Sequence, residues 1–312
     1  MYAFCTFLFV VFGLVVRKRL NLKNMKKLFI FLFFCCSFMG ASFAEPINVA
    51  TWNIRINIKK DSVAGNVWGN RREAIVKMVQ SNDFDIWGVQ EDFNKELNEL
   101  NSLLPYFSRK GFPNHENGRV GTFNSVFYKK KRFDERESGM FYLAPREDVP
   151  MLGWNGKYIR SCTWVKLVER NTSQVFWVFN THMDYAGGEV ERESCKMLLR
   201  KIREIAGENA AVIVMGDLNF NQYSPGYKIL TESGVIDDCI NVAKKKIKVT
   251  GTFNKFENDY KSEERLDHIL VTKNINVLEY NVLLDTYPGQ YGEDRFPSDH
   301  FPVVVKINLE AK

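Results

Sequence analysis

Residues 210–219, Ala-Ala-Val-Ile-Val-Met-Gly-Asp-Leu-Asn, form the stretch on which the interpretation of the chain depends. The apolar run is rich in β-branched residues and predicts a buried strand. It stops at Gly216, where glycine allows a sharp turn of the backbone. Asp217 and Asn219 follow two residues apart, so both side chains could face one phosphate or one metal. Asp and Asn are also common turn formers, and the rest of the chain must decide between these explanations.

Other apolar runs predict strands at residues 47–52, 85–89, 125–128, 161–168, 175–179, 266–271 and 302–307. The clearest helix is predicted for residues 190–206, with Gly207 as its stop. Further helices are expected from a capping-box pattern at residues 70–73, from the leucines of 97–104 and from Ser224-Pro225. The alternation is too irregular for a doubly wound sheet, so a layered α/β sandwich is predicted.

Residues 1–44 are predicted to be a leader. Met25-Lys26-Lys27 precedes the apolar residues 28–34, and Ser42-Phe43-Ala44 offers small residues for signal-peptidase cleavage before Glu45. We expect translation to begin at Met25, with residues 1–24 as an upstream extension. The alternative is a membrane anchor formed by the extension, whose apolar run is shorter than the about 20 residues that span a bilayer. Export to the periplasm or the extracellular space is therefore predicted, with attachment to the cell surface as an alternative.

Residues 45–312 contain no linker or repeat, so they are predicted to form one domain with a large core. The chain has 43 Lys and Arg against 37 Asp and Glu, but six of the basic residues and none of the acidic ones lie in the leader. The remainder is formally neutral and has no general basic field for nucleic acid. Its three cysteines are widely spaced and odd in number, which argues against a disulfide framework.

Polar side chains recur at the ends of the predicted strands. Each has an ordinary explanation as a turn or cap residue. Ligand sites in layered α/β folds collect at strand ends, however, so the shared position indicates a functional site. These residues are Asn53, Glu91, His182, Asp217, Asn219, Asp267, Asp299 and His300.

The motifs around these residues resemble the endonuclease/exonuclease/phosphatase superfamily in order and spacing, over residues 47–309. The resemblance implies a DNase I-like fold: a four-layer α/β/β/α sandwich of two packed mixed β-sheets flanked by helices, with a divalent-metal site in the cleft. Trp68, Trp154 and Arg160 are similar to the secreted bacterial branch. The matching motifs are Thr51-Trp52-Asn53-Ile54-Arg55, Gln90-Glu91, Thr181-His182-x-Asp184, Gly216-Asp217-Leu218-Asn219, Arg265-Leu266-Asp267-His268 and Ser298-Asp299-His300.

The resemblance implies that Glu91, with Asn53 and Asp299, holds the metal. An all-oxygen set suits Mg²⁺ or Mn²⁺, hard ions that keep some of their waters. The ion would polarise the phosphoryl oxygen and offset charge in the transition state.

The resemblance also assigns catalytic roles. Asp217 would orient or deprotonate the attacking water, and Asn219 would bind a phosphate oxygen. His300, oriented by Asp267, would contact the phosphate. His182 would contact the phosphate or assist the leaving oxygen.

Four residues are further candidates for substrate binding. Asp184 and Arg192 could line the cleft, and the guanidinium of Arg160 could bind phosphate in a bidentate manner. Ordinary surface ion pairs are the alternative for all three residues. Tyr291, in the loop before residue 298, could stack on a base or a sugar.

Thr122 departs from the nuclease branch that resembles pancreatic DNase. A glutamate there orients the histidine that matches His182, and threonine cannot supply an anion that would raise the pKa of that histidine. Glu116 is the candidate substitute. Without it, His182 is not expected to be a strong general acid.

The sequence therefore predicts a secreted, Mg²⁺-dependent phosphoesterase that uses direct water attack. A monomer without a stable protein partner is expected. Neutral charge favours a phosphatase or phosphodiesterase acting on a small, sugar or lipid phosphate. The alternative is a secreted nuclease that binds nucleic acid through local basic strips such as residues 129–132. A catalytically inactive phosphate-binding protein is the competing class, disfavoured by the intact Glu91, Asp217 and His300.

Overall fold

The computed structural model describes residues 45–115 and 121–310. The predicted leader and Glu116 lie outside this part of the chain. In chain order, the strands are β1 (Ile47–Asn53), β2 (Ile86–Asp92), β3 (Phe107–Lys110), β4 (Phe123–Lys129), β5 (Phe133–Tyr142), β6 (Ser161–Glu169), β7 (Val175–His182), β8 (Ala211–Asp217), β9 (Asp237–Asp238), β10 (Lys245–Lys246), β11 (Asp267–Val271), β12 (Ile275–Val282), β13 (Tyr287–Pro288), β14 (Asp294–Arg295) and β15 (Val303–Leu309).

The helices of the same residues are α1 (Lys59–Val63), α2 (Trp68–Ser81), α3 (Asn94–Leu103), α4 (Gly188–Ala206), α5 (Pro225–Thr231) and α6 (Cys239–Val242). None of these helices is long and apolar enough to cross a bilayer. The predicted helix at residues 190–206 is confirmed as α4, which Gly207 follows at φ 89°. The capping-box prediction is wrong, because α2 begins at Trp68 and Asn70 lies inside its first turn.

Two mixed sheets form the centre of the fold. The first has the strand order β10-β12-β15-β1-β2-β4-β3, and the second has the order β5-β6-β7-β8-β11-β9. In the first sheet, β1 is parallel to β2 and antiparallel to β15. In the second, β8 is parallel to β7 and antiparallel to β11. A short separate hairpin joins β13 to β14.

Alternation of side chains along β8 shows how the layers are packed. Ile213 and Met215 lie in the hydrophobic cluster that joins the two sheets, whereas Val212 and Val214 pack in the cluster under α4 and α5. A further cluster packs α2 and α3 on the outer face of the first sheet. Strand β8 is therefore covered on both faces, which explains its continuous apolar run. The predicted four-layer α/β/β/α sandwich is confirmed.

The sequence patterns missed two long strands, β5 and β12. In β5, residues 134–138 are all polar and partly or fully exposed, so the strand lacks the apolar alternation on which the prediction depends. Within the described residues, Cys162, Cys195 and Cys239 are buried and free.

Candidate active site

Strand pairing brings the polar strand ends together at one edge of the second sheet. His182, the last residue of β7, is paired with Asp217, the last residue of the parallel strand β8. Because β11 runs antiparallel to β8, its first residue, Asp267, is also paired with Asp217. Gly216 is required here, since its φ is +152° and a Cβ at this position would lie 1.8 Å from the Thr181 carbonyl oxygen.

Asp217 is the residue on which the polar contacts converge. Its Oδ1 accepts a hydrogen bond from the Asn219 backbone N–H at 3.0 Å, and its Oδ2 accepts one from Asn53 Nδ2 at 3.0 Å. The same Oδ2 lies 3.4 Å from His182 Nε2 and 3.7 Å from His300 Nε2. Burial raises the pKa of Asp217 from 3.8 to about 6, against the opposing effect of His300. The carboxylate can therefore exchange a proton near neutral pH.

His300 is held as a cation. Its Nδ1 lies 2.8 Å from Asp267 Oδ2, and both side chains are buried. Burial alone would lower the pKa of His300, but the charges of Asp267 and Asp217 raise it well above its usual range. The structure thus contains the predicted Asp267–His300 pair, and the resulting imidazolium lies beside Asp217.

His182 has the opposite character. Burial, reinforced by the positive charge of Arg160, lowers the pKa of His182 well below its usual value. Asn219 Nδ2 is 2.9 Å from the Met183 carbonyl oxygen and 2.8 Å from His182 Nε2. A carbonyl oxygen can only accept a hydrogen bond, so the Asn219 side-chain atom that contacts it is the NH2 nitrogen. The same nitrogen must also donate to His182 Nε2, which leaves the ring proton on Nδ1. His182 is therefore a neutral imidazole, and the Asn219 amide protons are used inside the protein rather than for phosphate.

Glu91 and Asp299 form the acidic side of the site. Arg55 Nη1 lies 3.4 Å from Asp299 Oδ2 and 3.9 Å from Glu91 Oε2, so a guanidinium stands between the two carboxylates. Arg55 is also bonded to Asp61 at 2.9 Å. This cation shows that the two carboxylates create a place for positive charge, and their oxygen donors fit a hard divalent ion. Asn53 is fully buried and orients Asp217 through its Nδ2.

A cavity of about 390 Å³ joins these groups, within the size range of small-molecule sites. Within the described residues, buried Arg160 Nε has no hydrogen-bond partner, although the side chain lines the cavity. An unpaired buried donor of this kind is costly unless a ligand oxygen accepts from it. The lining residues are Arg55, Ile56, Glu91, Thr122, Tyr158, Arg160, His182, Tyr185, Asp217, Asn219, Phe253, Asp299 and His300.

The structure does not bring three of the predicted substrate-binding residues to this cavity. Asp184 is buried, and its two carboxylate oxygens accept hydrogen bonds from loop backbone N–H groups. Arg192 is exposed on α4. Tyr291 is 88% exposed and lines a different cavity, next to the β13–β14 hairpin. Each assignment is corrected for the same reason: the residue is near a motif in sequence, but its backbone directs it elsewhere.

Sequence reasoning missed five lining residues, Arg55, Ile56, Tyr158, Tyr185 and Phe253. Arg55 lies within the motif that contains Asn53, and its position two residues after that asparagine was an available signal. Tyr185 directly follows the motif that ends at Asp184. Tyr158 and Phe253 lie in irregular loops, where the sequence offered no comparable signal.

The site and the fold together define a class of protein, the phosphoester hydrolases built on a four-layer α/β sandwich. Residues 50–300 match the model of the Endonuclease/Exonuclease/phosphatase family, and the chain belongs to this family. Members of the family generally use divalent metals, which agrees with the donor set of the cavity.

Solved structures support the assignment. A mannosyl-6-phosphatase from Bacteroides thetaiotaomicron is 36% identical and has a TM-score of 0.82, over 84% of this chain and 100% of the other. Another family protein from Bacteroides thetaiotaomicron is 34% identical with a TM-score of 0.82, over 86% of this chain and 100% of the other. An uncharacterized protein of Acanthamoeba polyphaga mimivirus is 23% identical over 268 residues, which are 76% of this chain and 91% of that protein.

Proposed function

We propose that this protein is a divalent-metal-dependent phosphatase that hydrolyses a sugar phosphate by direct attack of water. The observation that carries the proposal is the buried Asp217 carboxylate, which faces the His300 imidazolium in a cavity of small-molecule size. The mannosyl-6-phosphatase of Bacteroides thetaiotaomicron supports a sugar phosphate as substrate, because it shares 36% of its residues with this chain. We also propose that the protein is exported, as its leader motifs suggest, and that it acts as a monomer.

Glu91 and Asp299 would hold the ion, Mg²⁺ or Mn²⁺. Asn53 would support the site by orienting Asp217. When bound there, the metal supplies positive charge that polarises the phosphoryl oxygens. Asp217, Asp267 and His300 also offer three ligand atoms within 4.8 Å of one another. We prefer the position between Glu91 and Asp299. The carboxylates of Asp217 and Asp267 are already balanced by the positive charge of the His300 imidazolium.

Asp217 would act as the general base. Its pKa of about 6 lets the carboxylate be ionised at neutral pH and yet accept a proton from water as the water attacks phosphorus. The hydrogen bonds from Asn53 and from the Asn219 backbone fix its orientation. Asp217 holds the proton while the new phosphorus–oxygen bond forms and the bond from phosphorus to the ester oxygen breaks. The sugar leaves as an alcohol when its oxygen takes up a proton from solvent, and Asp217 returns its own proton to solvent.

His300 and Arg160 would stabilise the negative charge of the phosphoryl group. The His300 Nε2–H group is 3.7 Å from Asp217 Oδ2, which is longer than a hydrogen bond, so this donor can turn to a phosphate oxygen. Buried Arg160 Nε supplies a second donor. Donors that are already in place need no rearrangement when charge develops in the transition state. Neutral His182 contributes no charge, and its Nε2 accepts the hydrogen bond from Asn219.

A substrate panel tests this function. Purified protein is assayed with mannose 6-phosphate, other sugar phosphates, phospholipids, and single-stranded and duplex DNA, in Mg²⁺, Mn²⁺ or EDTA. We expect turnover of mannose 6-phosphate that EDTA abolishes and added Mg²⁺ restores. Asp217→Asn should reduce kcat by about 10²–10⁴-fold, the usual contribution of a general base.

Other outcomes point to the alternatives. Turnover of DNA alone, falling steeply between low and moderate salt, would identify a nuclease, because binding to a phosphate backbone depends strongly on salt. Binding of phosphate esters without turnover of any of them would support an inactive binding protein.

A further inference from the structure

Two tyrosines stand at the outer side of the active-site cavity. Tyr158 lies in the loop between β5 and β6, and Tyr185 lies in the loop between β7 and α4. Their ring centroids are 5.7 Å apart and their planes meet at 51°. The residues are 52% and 49% exposed, which is high for aromatic side chains that line a cavity. Exposed apolar surface at a cavity rim is typical of a ligand contact.

A buried carboxylate joins the two loops that carry these rings. Asp184 Oδ2 accepts hydrogen bonds from the backbone N–H groups of Lys157 and Tyr158, both at 2.7 Å. Its Oδ1 accepts one from Ala186 N–H at 2.8 Å. Asp184 is only 3% exposed, and hydrogen bonds to a carboxylate are stronger than neutral ones. The relative position of the two tyrosines is therefore built into the backbone.

Cations lie over both rings. Lys157 Nζ is 4.7 Å from the Tyr185 ring centroid, and Arg160 Cζ is 5.2 Å from that of Tyr158. Each cation is attracted to the face of its ring and helps to hold that ring in place. Arg160 also carries a buried Nε donor without a partner, and its side chain lines the cavity. A phosphate bonded to Arg160 would therefore place the group attached to it against the tyrosines.

We propose that Tyr158 and Tyr185 form the binding site for the sugar ring of the substrate, with Asp184 as the residue that positions them. The inference rests on the proposed phosphatase function and names the part of the site that selects the substrate. The two rings contact each other at an angle of 51° and so present a bent aromatic surface, which suits the puckered ring of a sugar better than a flat base. The tyrosine hydroxyl groups can exchange hydrogen bonds with sugar hydroxyls, and the ring faces can cover its C–H groups.

The test compares two phosphate monoesters that differ in the organic group. Mannose 6-phosphate has a sugar ring, and glycerol 3-phosphate has none. We expect Tyr158→Ala and Tyr185→Ala each to raise KM for mannose 6-phosphate about tenfold with little change in kcat, since uniform binding is lost. KM for glycerol 3-phosphate should stay within about twofold of the wild-type value. Asp184→Ala should produce the same selective rise in KM. Tyr223→Ala, a change of a 69% exposed tyrosine outside the cavity, is the matched control.

Measuring substrate binding in a catalytically inactive variant distinguishes a failure of the sugar site from a failure of the phosphatase proposal. Calorimetric titration of mannose 6-phosphate into Asp217→Asn should give an affinity that falls about tenfold when Tyr158→Ala is added. If the wild type hydrolyses neither ester but this dependence is found, the phosphatase proposal fails and the sugar site stands. An equal rise in KM for both esters, or no rise, would overturn the sugar site. The absence of mannose 6-phosphate binding would also overturn it. So would tyrosine substitutions that raise KM for a nucleoside monophosphate more than KM for mannose 6-phosphate. Melting curves establish that each variant is folded.

Discussion

Replacing Asp217 by asparagine should make the metal-free protein more stable at neutral pH while it removes activity. The carboxylate is fully buried, and desolvation disfavours its charged form more than its hydrogen bonds favour it. Asparagine has nearly the same shape and can still accept the hydrogen bond from the Asn219 backbone, but its Nδ2 would face Asn53 Nδ2, so the hydrogen bond from Asn53 is lost at a cost of about 1 kcal/mol. The variant thus removes a costly charge without opening a cavity.

The magnitude follows from the pKa. Folding raises the pKa of Asp217 from 3.8 to about 6. A tenfold change in proton affinity corresponds to about 1.4 kcal/mol, so the ionised carboxylate lowers the free energy of unfolding by about 3 kcal/mol at pH 7.5. The folded state binds this proton more tightly than the unfolded state. The destabilisation is therefore absent below the unfolded pKa, grows as pH rises, and is complete above the folded pKa. At pH 5 it is about half its full value.

Urea unfolding in EDTA, followed by tryptophan fluorescence at pH 5 and pH 7.5, measures this effect. Asp148→Asn is the matched control, because the side chain of Asp148 is 68% exposed and no change in stability is expected. After about 1 kcal/mol is subtracted for the lost Asn53 hydrogen bond, we expect Asp217→Asn to be more stable than wild type by about 2 kcal/mol at pH 7.5 and by about 0.5 kcal/mol at pH 5. Equal or lower stability at pH 7.5, or a difference independent of pH, would refute the reasoning.

Three further substitutions test contacts around the site. Arg71→Met should cost about 4 kcal/mol in urea unfolding, because this fully buried guanidinium donates to four backbone carbonyls; an effect below about 1 kcal/mol would contradict this. Arg55→Met should destabilise the metal-free protein by about 1 kcal/mol and tighten Mg²⁺ binding in calorimetry, because a cation between two carboxylates is lost; unchanged affinity would argue against competition. His268→Ala should cost about 3 kcal/mol at pH 7, because buried Asp238 loses His268 as one of its hydrogen-bond partners and keeps only Tyr227 and the Ile240 backbone. That partner, opposing the effect of burial, lowers the pKa of Asp238, so its stabilisation is present above about pH 4 and is lost as pH falls further. The cost should therefore shrink at pH 3.5, and a cost independent of pH would contradict this origin.

Local sequence patterns predicted the parts of the fold that depend on neighbouring residues. The apolar run of β8 and the stripe of α4 are visible because each buries a regular set of side chains. The edge strand β5 was missed because its middle carries exposed polar residues on both faces. The start of α2 was misplaced because Val67, a residue without a capping side chain, precedes its first helical residue.

The candidate site likewise contains residues whose position could be predicted from the sequence and residues whose position could not. Asp217, Asp267 and His182 terminate or begin strands that are paired in register, so their convergence follows from strand order and could be predicted. Tyr291 precedes a motif in the sequence, yet the β13–β14 hairpin carries it to a separate cavity. Proximity along a loop says little about direction, because irregular backbone has no fixed side-chain period.

By itself, the sequence determined the buried strands, the order of the motifs and the identity of the oxygen and imidazole groups that stand at the strand ends. The stretch at residues 210–219 is an example of this information, because it contains an apolar run, a glycine and two polar side chains. Only the tertiary structure decided which charges these groups carry and what surrounds them. His300 is a cation because Asp267 and Asp217 face it, and His182 is neutral because it is buried near Arg160. Such effects depend on burial and on distances between side chains far apart in sequence, and the linear pattern contains neither.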